Sequence, residues 1–336
     1  MTLNRFLPIA AVSLVLLAIG CGQTQQTGPA FTLYAVQNSG VAGSSVIELP
    51  LLNGETWQTS VTPSNTISVA MQTSFQALAV DTAGNLYVSA SVGTAPPMLY
   101  EIQVYAPGAT GATTPARTIA SASLTAPATS IAVDATGEIY ALSGNSISVF
   151  AASATGTSTP LRLITGSLTL LNSPSSIAVD AAQNIYVANI IYTATTDGGN
   201  VLVFSSTATG NAAPSNTLGG ANTSIGIPWG VAVDSAGNLY VSSFNEPSNS
   251  SLVVQFAPGA TGNATPTRTL TAVASDTLAG LAVDALDNLY VFTQAPTTNQ
   301  MAIDIFTPDE SGSTAPVESI TTTSWTASNY GQIAVR

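Results

Sequence analysis

The chain has 336 residues, of which 45% are hydrophobic and only 7% are charged, and its formal net charge at pH 7 is −12. It contains five arginines, no lysine, no histidine and one cysteine. Without histidine or lysine, a Ser-His-Asp triad, a histidine-ligated zinc site and a lysine Schiff base are all excluded. Since phosphate neutralisation needs basic side chains, the acidic balance predicts no nucleic-acid partner.

The first twenty residues predict an export signal. Residues 1–20 carry one cation, Arg5, and then an apolar run from Phe6 to Ile19. This run is too short to span a bilayer, which takes about 20 apolar residues. A positive start, a short apolar stretch and small residues at its end are typical of a secretory signal that is removed from the mature protein.

The signal ends in the string LAIGC at residues 17–21, which contains the only cysteine of the chain. The string resembles the bacterial lipobox, in which the cysteine is diacylated and becomes the first residue. The resemblance implies a lipid anchor on Cys21 and a polar tether over residues 22–30, and the repeat described below places the folded domain at residues 31–336. Gly22 stands where lipoproteins of the inner membrane commonly carry Asp, which implies an envelope lipoprotein of the outer membrane. An ordinary cleaved signal with a chance cysteine is the alternative.

The rest of the chain is an internal repeat. Five segments resemble one another: ALAVDTAGNLYV from Ala77, SIAVDATGEIYAL from Ser130, SIAVDAAQNIYV from Ser176, GVAVDSAGNLYV from Gly230 and GLAVDALDNLYV from Gly280. Their aspartates recur every 46 to 54 residues, at Asp81, Asp134, Asp180, Asp234 and Asp284. A period of this length is typical of propeller blades.

Each unit contains four short β runs, which we call a, b, c and d. Run a precedes the aspartate, run b follows the Gly-Asn pair, run c ends in an aromatic residue and run d follows a proline. The c aromatics are Tyr105, Phe150, Phe204, Phe256 and Phe306. Runs of apolar, β-branched and aromatic residues bounded by Gly, Pro, Asn and Asp indicate strands. Four antiparallel strands per unit predict an all-β propeller.

The two ends of the chain supply a sixth blade. Residues 332–336 are a lone run a, while residues 31–36 are a run b with no run a before it. Residues 46–49 are the matching run c, and we expect run d at residues 56–61. Because closing the ring removes unpaired strand edges, the last run should pair with the first and close a six-bladed propeller.

The repeated string IAVDxxGNLYV resembles the NHL-repeat family of six-bladed propellers and, more distantly, the gluconolactonase-like propellers. The resemblance implies the fold and leaves the function open, since propellers host unrelated activities. The residues after run b do not match the metal-binding positions of the enzymes in these families. Those residues are Gln37, Ser89, Leu142, Ala188, Ser242 and Phe292.

The string Asp-x-x-Gly-Asn between runs a and b is typical of a tight turn, in which the aspartate caps the backbone and glycine takes the left-handed conformation. We therefore expect the five aspartates to cap turns, and a cation held by their ring is the alternative. A tyrosine recurs in every run b, and we interpret these six rings as packing between blades.

Loop spacing separates two ends of the blades. The step from aspartate to run b tyrosine is 6 and from c aromatic to d proline is 10 in all five units, whereas the step from run b to run c varies from 10 to 18. Binding concentrates in variable loops on a rigid scaffold, so we expect the b–c and d–a loops to form a binding face. Its candidate residues are Phe75, Asn189, Tyr192, Asp197, Trp229, Phe244, Asn245, Glu246, Gln294 and Tyr330.

The sequence therefore predicts a monomeric, lipid-anchored binding or interaction module that is not an enzyme and holds no cofactor or metal. Exposed aromatic rings among amides and hydroxyls suit a glycan or a protein ligand. One alternative is a scaffold for an envelope protein complex. The other is a carboxylate-dependent hydrolase or lyase of carbohydrates, with Asp197 and Glu246 as an acid–base pair. Glu101 and Asp276 are the remaining carboxylates of this face.

Overall fold

A computed structural model of the chain describes residues 32–38, 44–50, 62–68, 73–93, 98–192, 198–245, 248, 250–271, 277–294, 301–321 and 333–336. The predicted signal, Cys21 and the tether lie outside these ranges. The helical segments within them are two 3₁₀ turns, Ser167–Thr169 and Ala221–Thr223. In this part of the chain, no helix has the length and apolar character needed to cross a membrane.

Six four-stranded antiparallel sheets form the blades of a propeller. The closing blade contains β1 (Thr32–Asn38), β2 (Ser44–Pro50), β3 (Asn65–Ser68) and the last strand, β24 (Ile333–Val335). Blade 1 contains β4 (Thr73–Val80), β5 (Leu86–Val92), β6 (Leu99–Tyr105) and β7 (Arg117–Ile119). Blade 2 contains β8 (Ala128–Val133), β9 (Ile139–Ser143), β10 (Ser146–Phe150) and β11 (Arg162–Thr165).

The other three blades repeat this arrangement. Blade 3 contains β12 (Pro174–Val179), β13 (Ile185–Ile191), β14 (Gly198–Phe204) and β15 (Asn216–Leu218). Blade 4 contains β16 (Ile227–Val233), β17 (Leu239–Asn245), β18 (Ser250–Phe256) and β19 (Arg268–Leu270). Blade 5 contains β20 (Thr277–Val283), β21 (Leu289–Gln294), β22 (Met301–Phe306) and β23 (Glu318–Ile320). The predicted six-bladed all-β fold is confirmed.

The ring closes through the split blade, as the sequence predicts. β24 pairs antiparallel with β1, and Leu33 lies opposite Val335. Thr32 and Arg336 exchange backbone hydrogen bonds of 2.9 and 3.1 Å at the end of this ladder. The predicted position of run d at residues 56–61 is wrong, because the fourth strand is β3, at Asn65–Ser68. Residues 56–61 themselves lie outside the described residues, and Pro63 precedes Asn65 by the two residues that separate the d proline from its strand in the other blades.

The core lies between neighbouring blades. Tyr87 and Ile102 of blade 1, for example, pack in one buried cluster with Ile131 and Phe150 of blade 2. A strand places alternate side chains on opposite faces, so each blade contributes apolar residues to two such clusters. This arrangement explains why the strands of the repeat are apolar along most of their length.

Glycines in the c–d connections join each blade to the one before it. Gly111 of blade 1, for example, donates a 2.7 Å hydrogen bond to the carbonyl of Thr66 and accepts one of 2.9 Å from the N–H of Ser68, both in the closing blade. The same parallel bridge recurs at Gly156, Gly210, Gly262 and Gly312. All five glycines have positive φ, a conformation that glycine adopts without steric cost. These bridges cover the outer edge strand of the preceding blade.

The a–b and c–d connections lie at one end of the blades, which we call the turn face. There the repeated aspartate caps the a–b turn, as the sequence predicts. In blade 3, Asp180 accepts hydrogen bonds from the N–H groups of Ala182 and Asn184, from the Asn184 amide and from the Tyr186 hydroxyl, at 2.8 to 3.1 Å. The run b tyrosine therefore packs between blades and also completes the turn.

Arginines of the outer strands also join the blades. Arg117 donates to the Ala154 carbonyl of the next blade at 2.7 Å and lies over the Tyr87 ring, 5.7 Å from its centroid. Arg162 repeats this arrangement, with a carbonyl of the next blade and the ring of Tyr140. These contacts stabilise the interface between blades through charge-assisted hydrogen bonds and cation–π attraction.

Candidate functional site

The b–c and d–a connections form the opposite end of the blades, which we call the loop face. Two of its ten predicted residues have buried side chains. Phe75 has no exposed surface and makes an edge-to-face contact with Tyr105, with ring centroids 6.5 Å apart. It belongs to the core because it lies within β4, which begins earlier than the repeated string suggests.

Asn189 is also buried, with 1% of its surface exposed. Its side-chain oxygen accepts a 2.7 Å hydrogen bond from the N–H of Asn172, and its amide donates to Asn200 at 3.1 Å. Ser143 and Ser243 hold the preceding d–a loop from the equivalent position in blades 2 and 4. The Asn189 amide therefore fixes a loop, and its hydrogen-bonding groups are used within the protein.

Five other predicted residues have accessible surface. Tyr192 is 56% exposed. Trp229, Phe244, Asn245 and Gln294 are partly exposed. Trp229 lies within a register shift of β16, between Pro228 and Gly230, and such a bulge turns one side chain out of the regular alternation. Three predicted residues, Asp197, Glu246 and Tyr330, lie outside the described residues, so the proposed Asp197–Glu246 pair has no described geometry.

A chain of three polar side chains in β6 leads from the core to the loop face. The Tyr105 hydroxyl donates a 2.6 Å hydrogen bond to the Gln103 side-chain oxygen, and the Gln103 amide donates a 2.7 Å bond to Oε1 of Glu101. Tyr105 and Gln103 are 1% and 8% exposed. Glu101 is the third residue of β6, at its loop-face end, and it is partly exposed. The buried part of the chain therefore orients a carboxylate that solvent can reach.

The protonation state of Tyr105 fits its role as the first donor in this series of hydrogen bonds. Burial raises the pKa of Tyr105 to about 12, with a further contribution from the negative charge of Glu101. The hydroxyl therefore stays protonated and donates at any physiological pH. A fixed donor at this end fixes the orientation of the Gln103 amide, so that its N–H groups point towards Glu101.

The fold does not require this polar chain. At the Tyr105 position the other four intact blades carry phenylalanine, and all four rings are fully buried or nearly so. At the Glu101 position they carry Ser146, Asn200, Leu252 and Ala302. At the Gln103 position they carry Ser148, Leu202, Val254 and Asp304. A buried polar group is costly unless it is satisfied, and blade 1 differs from the others in the tyrosine that extends the polar side chains into the core. The single tyrosine among the c aromatics is the sequence signal that could have identified it.

Cations lie away from Glu101 in the described part of the chain. Arg117, Arg162 and Arg268 bond to carbonyl groups of the next blade beside the c–d connections. Arg336 ends the closing strand at the turn face, where a Cβ on Gly84 would clash with its guanidinium. An anionic ligand at the loop face would therefore meet none of these four arginines. The described residues also contain no cluster of three or more side chains suited to a metal ion.

No family model matches the sequence, and no curated protein matches it. Solved structures share its fold. A protein of unknown function from Bacteroides caccae is 12% identical, covers 90% of this chain and 98% of its own, and has a TM-score of 0.55. A protein called a "putative 6-phosphogluconolactonase" from Bacteroides uniformis is 15% identical, covers 84% of this chain and 80% of its own, and has a TM-score of 0.50.

A gluconolactonase from Xanthomonas campestris is 15% identical, covers 88% of each chain and has a TM-score of 0.45. At these identities the likeness shows the propeller fold. One expectation is corrected: the prediction that the chain is not an enzyme is contradicted by the neighbour from Bacteroides uniformis, which carries the name of a lactone hydrolase. The chain is accordingly a six-bladed β-propeller, similar in fold to a protein with a lactonase name.

Proposed function

We propose that the protein is a carboxylate-dependent hydrolase that acts at the loop face on an uncharged, sugar-derived lactone or ester. The observation that carries the proposal is the hydrogen-bonded chain from Tyr105 through Gln103 to Glu101. A catalytic carboxylate needs a fixed orientation and access to solvent, and Glu101 has both. The lactonase name of the fold neighbour from Bacteroides uniformis favours the same reaction class.

In the proposed reaction, Glu101 acts as a general base. Its carboxylate accepts a proton from a water molecule while the water oxygen bonds to the acyl carbon of the substrate. The bond between that carbon and the ring or ester oxygen then breaks, and the leaving oxygen takes the proton back from Glu101. Gln103 and Tyr105 are positioning residues, since they hold the carboxylate and do not touch the substrate.

The distribution of charge supports an uncharged substrate. The four described arginines are engaged elsewhere, and the chain contains no lysine or histidine. A phosphate or carboxylate group on the substrate would be repelled by a chain of net charge −12. We therefore expect a neutral aldonolactone or sugar ester to be preferred over its phosphorylated counterpart.

The test is hydrolysis of a panel of neutral lactones and acetylated sugars, with phosphorylated lactones in parallel. Glu101→Gln should lower kcat/KM at least about 100-fold, the usual contribution of a general base, with an unchanged melting temperature. Glu138→Gln is the matched control, because Glu138 is also partly exposed but lies at the turn face beside Arg162. Wild-type activity in Glu101→Gln, or no hydrolysis of any substrate by the wild type, would overturn the proposal.

The positioning role has its own variant. Tyr105→Phe introduces the residue that the other four blades already carry, so the fold should tolerate it. We expect a reduction in kcat of about 3- to 10-fold with little change in KM. The loss should be absent when Glu101 is already Gln, because the chain then has no carboxylate to orient.

For location, we propose export and lipidation at Cys21, as the LAIGC string indicates. The start of β1 at the turn face would direct a membrane anchor to that side and leave the loop face pointing away. Labelling cells with a palmitate analogue should mark the wild-type protein and not Cys21→Ser, which should leave the membrane fraction. An unlabelled wild-type protein would refute the anchor.

A further inference from the structure

The loop between blades 2 and 3, residues 166–173, exposes two leucines. Leu168 and Leu170 are each 57% exposed. Leu170 also has a φ of 60°, in the left-handed region that is costly for branched side chains. Neither solvation nor backbone geometry therefore favours leucine at this position.

A matched loop between blades 3 and 4 shows that the conformation does not need them. Residues 220–224 form the same 3₁₀ turn, with Asn222 and Ser224 in place of the leucines and a φ of 58° at Ser224. In both loops a threonine hydroxyl bonds the preceding glycine carbonyl at 2.7 Å. An asparagine of the next blade accepts the N–H of Leu168 at 2.8 Å and that of Asn222 at 2.7 Å. The same turn therefore forms with polar residues at both positions, and the leucines are not needed for its conformation.

The leucine loop is fixed to the strand end that carries Tyr192. The N–H of Asn172 donates to Asn189 at 2.7 Å, and the N–H of Ile190 donates to the Ser173 carbonyl at 3.3 Å. Tyr192 follows directly and is 56% exposed. Beside it, Gly198 lies opposite Ile191, and a Cβ there would meet no atom within 4 Å. Apolar side chains of the leucine loop and of the end of β13 therefore lie on one rim of the loop face.

Among the described residues, the strands and loops around these side chains carry no charge, and Asp197, in the connection from Tyr192 to Gly198, lies outside them. Residues 139–150, 163–179, 185–192 and 198–204, which form the neighbouring strands and loops, contain no Asp, Glu or Arg. Their polar groups are hydroxyls and amides, such as those of Ser167 and Asn172, which are exposed. This rim suits an uncharged ligand that combines apolar faces with many hydroxyl groups.

We propose that Leu168, Leu170 and Tyr192 form a binding platform for an uncharged saccharide chain. The C–H faces of sugar rings would pack on the tyrosine ring and the leucines, while the neighbouring amides and hydroxyls bond the sugar hydroxyls. Three side chains are too few for a stable protein interface, which buries about 800 Å² per partner. A membrane is a less suitable partner for this rim. The proposed lipid anchor precedes β1, and β1 begins at the opposite, turn face, where Thr32 pairs with Arg336.

The experiment is calorimetric titration of the protein with neutral hexasaccharides of α-1,4-glucan, β-1,4-glucan, β-1,4-mannan and β-1,4-xylan. The double variant Leu168→Asn with Leu170→Ser copies the matched loop and should fold normally. It should weaken binding at least about 10-fold, as should Tyr192→Ala. Asn222→Ala with Ser224→Ala, in the matched loop, is the control and should bind as the wild type does.

Two results would overturn the platform. One is that no hexasaccharide binds the wild type; the other is that the double variant binds as tightly as the wild type. Loss of self-association in the double variant, measured by sedimentation and without any saccharide binding, would instead assign the leucines to a contact between copies. The platform does not depend on hydrolysis: Glu101→Gln should still bind the saccharide, so the two proposals fail separately.

Discussion

The two faces of the propeller are built from the same strands but use their polar residues differently. At the turn face, the carboxylate of Asp180 accepts four hydrogen bonds within its own turn, and equivalent aspartates recur in the other intact blades. At the loop face, Glu101 accepts one described hydrogen bond from Gln103 and keeps part of its surface exposed. A carboxylate that occurs once and is held without being enclosed is better suited to chemistry than one that caps a repeated turn.

The difference teaches that repetition marks structure, while departures from it mark candidate sites. Each repeated polar residue has a structural partner in its own blade or the next. The residues that we propose to be functional are those at which one blade differs from its equivalents. Examples are Tyr105 among phenylalanines and Leu170 where the matched loop has Ser224.

Among the changes proposed here, removing residues 333–336 should lower the free energy of unfolding the most. It deletes buried Ile333 and the backbone bonds between Arg336 and Thr32, and it opens the ring. We expect a loss of at least about 5 kcal/mol in the free energy of unfolding, since a buried Ile alone contributes about 2–5 kcal/mol. Urea titration followed by tryptophan fluorescence measures it. A midpoint equal to that of the full chain would show that the last strand does not close the ring.

Replacing one turn-face cap should have a smaller but clear effect. Asp180→Ala leaves two backbone N–H groups, the Asn184 amide and the Tyr186 hydroxyl without their acceptor. We expect a loss of about 2–3 kcal/mol, measured by chemical denaturation, with turnover unchanged while the protein is folded. A loss of activity in folded Asp180→Ala would mean that the turn face takes part in catalysis.

Two carboxylates, Asp81 and Glu318, should make the free energy of unfolding depend on pH in opposite directions. Burial alone would raise the pKa of Asp81, but hydrogen bonds from Asn85, Tyr87 and the Ala83 N–H outweigh it and lower the pKa. Stabilisation from a lowered pKa is present above the unfolded value and is lost as the pH falls through the folded value. Asp81→Asn should therefore weaken the acid dependence of the melting temperature below about pH 5.

Glu318 should behave in the opposite way. Burial raises its pKa, so its favourable contribution is complete below the unfolded pKa and is lost as the pH rises through the folded one. Glu318→Gln should therefore stabilise the protein at pH 7, and the gain should shrink towards pH 4. Equal melting temperatures of the two proteins at pH 7 would contradict the burial of this carboxylate.

The smallest effect is expected at Gln183, which stands where three other turns have glycine. Its φ of 62° carries a cost, but its amide donates a 2.7 Å hydrogen bond to Asp134 of the preceding blade. Gln183→Gly removes the cost of the positive φ but also removes the hydrogen bond to Asp134. The free energy of unfolding should therefore change by no more than about 0.5 kcal/mol. Gln183→Ala keeps the strain and loses the bond, and it should cost about 1 kcal/mol more than the glycine variant in the same denaturation assay.

Much of the fold could be predicted because the same strand and turn pattern recurs in several repeats. Six blades, the split blade and the aspartate caps all follow from spacings that recur. The position of β3 was missed because run c of the closing blade has no aromatic residue from which the ten-residue step could be counted, although Pro63 precedes Asn65 by two residues as the other d prolines precede their strands. The role of Arg117 was also hidden, because its partners, the Ala154 carbonyl and the Tyr87 ring, come from two different blades.

The candidate site was harder to predict than the fold. Sequence placed Phe75 and Asn189 on the binding face because they lie next to variable loops. The structure assigns Phe75 to the core and Asn189 to the support of a loop. Conversely, the link from Tyr105 to Glu101 depends on three side chains sharing one face of β6. Strand alternation permits that arrangement, but only tertiary packing buries it.

The most direct test measures turnover and melting temperature side by side in Glu101→Gln and Asp180→Ala. We predict that Glu101→Gln melts like the wild type and hydrolyses the best neutral lactone at least about 100-fold more slowly. We predict that Asp180→Ala melts several degrees lower and, below its transition, hydrolyses it at the wild-type rate. Undiminished turnover in Glu101→Gln would contradict the account.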